Sequence, residues 1–222
     1  MNDIPELIVM LTYNDMTVEN AYEVFDSCKN TGATCWGFKE EPLPLEEMKK
    51  LFSYMKECGK KTFLEVVEYD EEAGLRGARM AAECGCDILM GTLFYESILN
   101  FCKEHNLKYM PFVGEVTERP SILGGTIEGM ISEAKEYIGK GCDGIDLLGY
   151  RYVDDAYELN RRFVAEVNAP VCIAGSVDSF KRLDEIKEAS PKYFTIGSAF
   201  FDNKFEGTIA QQIDKVCEYL DK

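Results

Sequence analysis

The chain has 222 residues, of which 46% are hydrophobic, and this suits a single α/β domain spanning 1–222 with a substantial core. Its formal net charge of −16 argues against nucleic acid or an anionic membrane as a partner, because both are bound mainly through Lys and Arg. Nine cysteines, an odd number, and the lack of an apolar leader after Met1 predict reduced thiols and a cytoplasmic location.

Apolar, β-prone runs alternate with helix-like segments along the chain. The predicted strands are 7–13, 34–39, 62–67, 87–90, 108–113, 144–148, 170–174 and 193–196. Helix-stopping residues at 32, 59, 85, 106, 141, 168 and 190 recur at the length of a compact strand–turn–helix unit. Such units predict a closed (β/α)8 TIM barrel of the α/β class. The rival is an open doubly wound sheet, whose phosphate loop usually follows the first strand, where this chain has no Gly-rich sequence.

Two Gly-Ser pairs end the last two predicted strands. Gly175-Ser176 follows the seventh strand, and Gly197-Ser198 follows the eighth. Glycines at neighbouring strand ends leave backbone N–H groups uncovered, and each following helix adds the positive end of its dipole. We therefore predict a phosphate bound by the backbone at Gly175, Ser176, Gly197 and Ser198. The alternative is that both glycines only allow close packing of helix on strand.

In other strands, the alternating direction of side chains places charged residues inside the barrel. In the second strand, the bulky Trp36 and Phe38 are expected to face outward, and Lys39, which has the opposite parity, then faces inward. The same reasoning places Glu65 of the third strand and Asp146 of the sixth inside. A buried cluster of lysine and carboxylates shifts pKa values toward those useful for proton transfer, so these three are the candidate catalytic residues. The alternative is a structural ion pair.

Polar residues that follow other strands are candidate substrate contacts. Asn14 leaves the first strand, Thr92 the fourth and Arg151 the sixth, where an arginine can close over an anion. The longest loop, 114–125, contains a segment at 118–125 that we interpret as a lid. The third strand ends in Glu65 and Glu68, where the seventh has its Gly-Ser pair, so we expect one phosphate site and an acidic wall opposite it.

The C-terminal quarter resembles the ribulose-phosphate-binding barrels, and among them most the sugar-phosphate isomerase of histidine biosynthesis. The resemblance is carried by Ala169-Pro170-Val171, Gly175-Ser176-Val177 and the run TIGSAFF at 195–201. It implies a TIM barrel whose last two Gly-Ser turns hold phosphate through the backbone. That isomerase has catalytic carboxylates at the ends of the first and fifth strands, where this chain has Asn14-Asp15, displaced by one or two places, and Glu115.

Lys39 and the acids of the third strand are also loosely similar to the orotidine-phosphate decarboxylase group. The motif Asp-x-Lys-x-x-Asp of that group is absent, because Glu65-Val66-Val67-Glu68 contains no lysine. Phosphosugar epimerases and aldolases of the same barrel type stay open.

The leading hypothesis is an enzyme without metal or cofactor that isomerises or epimerises a small phosphorylated sugar, or a related carbonyl metabolite, by general acid/base proton transfer. The alternatives are a Schiff-base aldolase or lyase that uses Lys39, and a non-catalytic barrel that binds a phosphorylated metabolite. A flavin or nicotinamide oxidoreductase is more distant. The expected partner is a small phosphorylated metabolite, and a homo-oligomer is left open.

Overall fold

The computed structural model describes residues 4–222, and its centre is a barrel of parallel strands. The barrel strands are β1 (Glu6–Met10), β2 (Cys35–Lys39), β3 (Lys61–Val66), β4 (Ile88–Gly91), β5 (Lys108–Met110), β6 (Ile145–Leu147), β7 (Val171–Ile173) and β8 (Tyr193–Ile196). They are hydrogen-bonded in the order β6-β7-β8-β1-β2-β3-β4-β5. The ring is completed between β5 and β6, where the backbone N–H groups of Asp143 and Asp146 donate to Tyr109 and Pro111 at 2.9 and 3.0 Å. The predicted (β/α)8 TIM barrel is confirmed.

A helix follows each barrel strand and packs on the outside of the ring. The helices are α1 (Ala21–Cys28), α2 (Leu45–Glu57), α3 (Glu71–Glu83), α4 (Glu96–Glu104), α5 (Ile127–Lys140), α6 (Ala156–Glu166), α7 (Phe180–Ala189) and α8 (Ile209–Leu220). A short helix, Ser198–Phe201, precedes α8 directly after β8. Within residues 4–222, no helix has both the length and the apolar character needed to cross a bilayer.

Alternation along the strands divides the core into two parts. Outward side chains such as Trp36 and Phe38 are fully buried between the strands and the helices. Inward side chains form a separate apolar cluster that fills the barrel below its mouth: Ile8, Met10, Cys35, Phe63, Ile88, Met90, Met110, Cys172 and Tyr193. Above this filling, at the C-terminal ends of the strands, lie the charged side chains of Lys39 and Glu65, and this is the end where a barrel carries its site.

Two small hairpins rise from this end of the barrel. The first hairpin pairs Thr12–Tyr13 with Met16–Thr17, and the second hairpin pairs Glu115–Thr117 with Ile122–Gly124. Both replace what the sequence predicted, because 7–13 was expected as one strand and 114–125 as a loop. The apolar run 7–13 is split between β1 and the first hairpin, since pairing with the barrel ends at Met10.

Candidate functional site

A cavity of about 220 Å³ opens at the C-terminal ends of the strands. One part of its lining carries Asp15, Lys39 and Glu65, and another part consists of the turns after β7 and β8. We call Asp15, Lys39, Glu65 and Asp146 the charged cluster. We call the turns 175–177 and 197–199 the amide cradle.

Lys39 stands at the centre of the charged cluster. It ends β2, its register partner on β3 is Glu65, and its Nζ lies 3.9 Å from Glu65 Oε2. Nζ also donates a hydrogen bond to Asp15 Oδ1. Burial lowers the pKa of Lys39, but attraction to Glu65 and Asp15 outweighs it and leaves that pKa raised. Lys39 is therefore an ammonium group at neutral pH.

Asp146 lies on β6 inside the barrel and is completely buried. Neither of its side-chain oxygens has a hydrogen-bond partner among the described residues. Burial, reinforced by the negative charge of Glu65 and opposed by Lys39, raises the pKa of Asp146 well above its ordinary value. This shift favours the protonated, neutral form of the Asp146 carboxyl group.

The first hairpin brings Asp15 to Lys39. Thr17 at its end accepts a hydrogen bond from the Lys39 N–H at 2.9 Å, and its hydroxyl donates to the Lys39 carbonyl at 2.8 Å. Asn14 and Asp15 at the tip have φ of 48° and 67°, the left-handed conformation that Asn and Asp tolerate better than most residues. The Asn-Asp pair between two short β-prone segments was the available signal for this turn. The sequence analysis noted Asp15 but did not pair it with Lys39.

Arg119 attaches the second hairpin to the region around Asp15. Its guanidinium lies 3.1 Å from Glu40 Oε1 and 3.5 Å from Asp15 Oδ2. Burial raises the pKa of Glu40, although Arg119 opposes this shift. The Tyr69 hydroxyl donates a hydrogen bond to the Glu118 carbonyl at 2.7 Å. This contact attaches the hairpin to the loop that follows β3. The segment interpreted as a lid thus belongs to a hairpin, whose Ser121 lines the cavity.

The amide cradle lines another part of the same cavity. Gly175 and Ser176 have φ of 87° and 46°, and the backbone N–H groups of Ser176 and Val177 have no acceptor among the described residues. The short helix Ser198–Phe201 starts after Gly197, so its first N–H groups also lack intrahelical acceptors. The backbone N–H of Asn14 donates to the Ser198 hydroxyl at 3.2 Å. Free N–H groups of this kind form an anion site.

Both cradle glycines are also packed closely, as the alternative explanation expected. A Cβ on Gly197 would lie 3.1 Å from the Thr12 carbonyl oxygen and closer still to its hydroxyl. A Cβ on Gly175 would lie 2.8 Å from Arg151 Cγ. Close packing and anion binding are compatible here, because the packing is on the Cβ side of each glycine while the cavity borders the same turns.

Two cations, Arg151 and Lys204, line the cavity beside the amide cradle. Among residues 4–222, neither has an ion-pair partner. Asp178 and Asp202 also line it, with Asp178 paired to Arg182 at 3.4 Å. Lys204 was missed by the sequence analysis because it follows the short helix and not a strand.

Two predicted substrate contacts need correction. Thr92 is fully buried, its hydroxyl lies 2.6 Å from the Tyr109 hydroxyl, and its methyl group faces Gly74 of α3. It follows β4 with φ of 65°, and this turn points its side chain away from the cavity. The Asn14 side chain is exposed at the hairpin tip, and only its backbone contacts the cradle. The neighbouring Asp15 takes the place in the cavity.

No family model and no curated protein sequence matches the chain. Solved structures do resemble it. Orotidine 5'-monophosphate decarboxylase from Methanocaldococcus jannaschii, complexed with the inhibitor BMP, has a TM-score of 0.72 and 14% identity, covering 99% of this chain and 100% of that one. The decarboxylase from Pyrococcus horikoshii OT3 has a TM-score of 0.70 and 14% identity, covering 97% and 99%.

N-acetylmannosamine-6-phosphate 2-epimerase from Clostridium perfringens has a TM-score of 0.66 and 13% identity, covering 96% of this chain and 92% of that one. At such identities the likeness concerns the fold. It agrees with the TIM-barrel fold that the sequence predicted.

Proposed function

We propose that this barrel is an enzyme that moves a proton next to the carbonyl group of a small phosphorylated metabolite, as an isomerase or epimerase. The phosphate lies in the amide cradle, with Arg151 and Lys204 beside it. The carbonyl end lies against the charged cluster. The single observation that carries this proposal is that a buried lysine–carboxylate cluster and two turns with free backbone N–H groups line one cavity.

Each member of the charged cluster has a role in this proposal. The Glu65 carboxylate removes the proton from the carbon beside the carbonyl, and the Lys39 ammonium stabilises the negative charge that develops on the carbonyl oxygen. Asp15 orients Lys39 through their hydrogen bond. Asp146 lies buried beside this site, and its raised pKa favours the neutral form, so it adds little negative charge beside the base. Glu65 then returns its proton to the intermediate and is regenerated. Return to the neighbouring carbon, while the hydroxyl proton of that carbon passes to the former carbonyl oxygen, gives isomerisation, and return to the other face of the first carbon gives epimerisation.

The known proteins of similar fold support a phosphorylated ligand and leave the reaction open. The names of these neighbours specify a decarboxylase of orotidine 5'-monophosphate and an epimerase of N-acetylmannosamine 6-phosphate. Several chemistries thus occur on this barrel, and the residues of the charged cluster are the reason to favour proton transfer here.

A Schiff-base lyase is the weaker alternative. Imine formation needs a neutral amine, and attraction to Glu65 and Asp15 raises the pKa of Lys39 against the effect of its burial. A lysine that acts as an imine former is usually desolvated without such partners. Borohydride reduction in the presence of substrate tests this alternative, because only an imine leaves a covalent adduct on Lys39.

The experiment has two steps. A thermal-shift screen against phosphorylated metabolites first identifies ligands, since binding to the native state raises Tm. Each ligand is then incubated with the protein in deuterated water, and NMR follows deuterium incorporation beside the carbonyl. We expect incorporation with the intact protein and its loss in Glu65→Gln, while the surface variant Glu72→Gln retains it. Binding without any exchange in the intact protein would instead favour a non-catalytic barrel.

A further inference from the structure

The charges in the cavity are unevenly distributed. At the end of the charged cluster, the acidic groups that line the cavity, Asp15 and Glu65, outnumber the basic group Lys39. Both cations of this region are occupied, because Lys39 contacts Asp15 and Glu65, and Arg119 contacts Asp15 and Glu40. At the cradle end the lining has two acids, Asp178 and Asp202, and two cations, Arg151 and Lys204, and neither of these cations has an ion-pair partner among residues 4–222. A ligand therefore finds a place for negative charge at one end only.

Near the charged cluster, the buried side-chain atoms that lack a hydrogen-bond partner among residues 4–222 are all oxygens. Asp15 Oδ2, Glu40 Oε2 and both carboxyl oxygens of Asp146 are buried without a hydrogen bond. Asp146 is completely buried behind Glu65, which itself lines the cavity. Buried polar atoms in native proteins normally have partners. Asp15 lines the cavity, and the contact of its Oδ2 is the ion pair with Arg119 at 3.5 Å, so a donor on a ligand would complete its hydrogen bonding.

We infer that the substrate carries no carboxylate at the end remote from its phosphate, and that this end is rich in O–H or N–H donors, as in a polyol or an amino sugar. The inference rests on the proposed function, which places the phosphate in the amide cradle. Carboxylate oxygens of Asp15 and Glu65 accept hydrogen bonds from hydroxyl or amino groups and repel a second carboxylate. Phosphorylated sugar acids are thereby excluded, and neutral or amino sugar phosphates are selected.

Isothermal titration calorimetry with a matched ligand pair tests this selection. Erythritol 4-phosphate and 4-phosphoerythronate have the same carbon chain and differ only in a terminal alcohol or carboxylate, and inorganic phosphate reports on the cradle alone. We expect both esters to compete with phosphate, and erythritol 4-phosphate to bind at least about tenfold more tightly than 4-phosphoerythronate. In Asp15→Asn, the ratio of the two affinities should shrink severalfold, because one repelling charge is removed.

Asp202→Asn is the matched control. It removes the same charge at the cradle end, so it should change the affinities of both esters by a similar factor. The inference is overturned if 4-phosphoerythronate binds as tightly as the alcohol, if Asp15→Asn leaves the ratio unchanged, or if neither ester binds more tightly than phosphate. Failure of phosphate and both esters to bind at all would instead remove the phosphate site of the proposed function, and the inference with it.

Discussion

The amide cradle and the charged cluster line one cavity and are built in different ways. The cradle consists of backbone N–H groups in two turns, each formed by consecutive residues that follow a strand. The cluster consists of side chains from β2, β3 and β6 and from the first hairpin. The cradle tolerates changes of side chain as long as the backbone keeps its conformation. The cluster depends on every one of its charged groups, because each buried charge there needs its partner.

The difference in construction matches the two roles that the proposed function gives these groups. Backbone donors hold an anion in a fixed place without a titratable group of their own, which suits binding. Buried side chains that influence one another's pKa values suit proton transfer. The following variants separate the cradle from the cluster, from the largest expected effect to the smallest.

Lys39→Gln should have the largest effect on stability. It leaves Asp15 and Glu65 in a buried position without their shared cation, so we expect a loss of about 3 to 5 kcal/mol in the free energy of unfolding, measured in urea. The exchange of substrate protons should disappear as well. Lys49→Gln, which breaks only an exposed pair with Glu83, is the control and should be far milder. A fully stable Lys39→Gln protein would show that the cluster is not a tightly coupled unit.

Gly197→Ala disturbs the cradle wall. The added methyl group meets the Thr12 backbone and hydroxyl, so we expect a loss of about 1 to 3 kcal/mol and weaker binding of inorganic phosphate, measured by urea unfolding and calorimetry. Gly139→Ala in α5 meets no atom within 4 Å. It should stabilise the protein by about 0.5 to 1 kcal/mol and leave phosphate affinity unchanged. Equal phosphate affinity in Gly197→Ala would argue that this turn does not bind the anion.

Asp146→Asn should reveal the buried proton through its dependence on pH. Because the folded-state pKa of Asp146 is raised, the native chain keeps a proton that the unfolded chain releases above its pKa of about 3.9. This contribution to stability is fully present below the unfolded pKa and is lost as the pH rises toward the folded pKa. Asparagine stays neutral and avoids that loss.

The free energy of unfolding of Asp146→Asn relative to the parent should therefore be higher at pH 6 than at pH 5, by at most about 1.4 kcal/mol. Urea titrations at the two pH values measure it. A difference that is the same at both pH values would mean that Asp146 is not held in its neutral form.

Arg119→Gln should have the smallest effect. Its side chain is 32% exposed, so its ion pairs with Glu40 and Asp15 are partly screened and their loss should cost about 1 kcal/mol or less. The local effect is larger, because the second hairpin loses its attachment. Hydrogen exchange should speed up at 115–124 and stay unchanged in α5. Arg161→Gln, which removes a pair within α6, is the control and should leave exchange in the hairpin as it was.

The sequence by itself determined the barrel and the cradle. Both depend on local information, namely the repeated strand–turn–helix unit and Gly-Ser pairs that bend the backbone wherever they occur. The parity of β2, β3 and β6 also indicated Lys39, Glu65 and Asp146 as inward residues, because alternation along a strand is a local property.

Only the tertiary structure decided which groups surround Lys39. Asp15 reaches it from the first hairpin, and Arg119 of the second hairpin contacts Asp15 and Glu40. The sequence analysis expected 7–13 as one strand and 114–125 as a loop. Thr92 was misplaced for the same kind of reason, since the direction of its side chain depends on a left-handed turn after β4. Contacts between segments distant in sequence follow from closing the barrel and folding the hairpins over it, and no pattern within one segment encodes them.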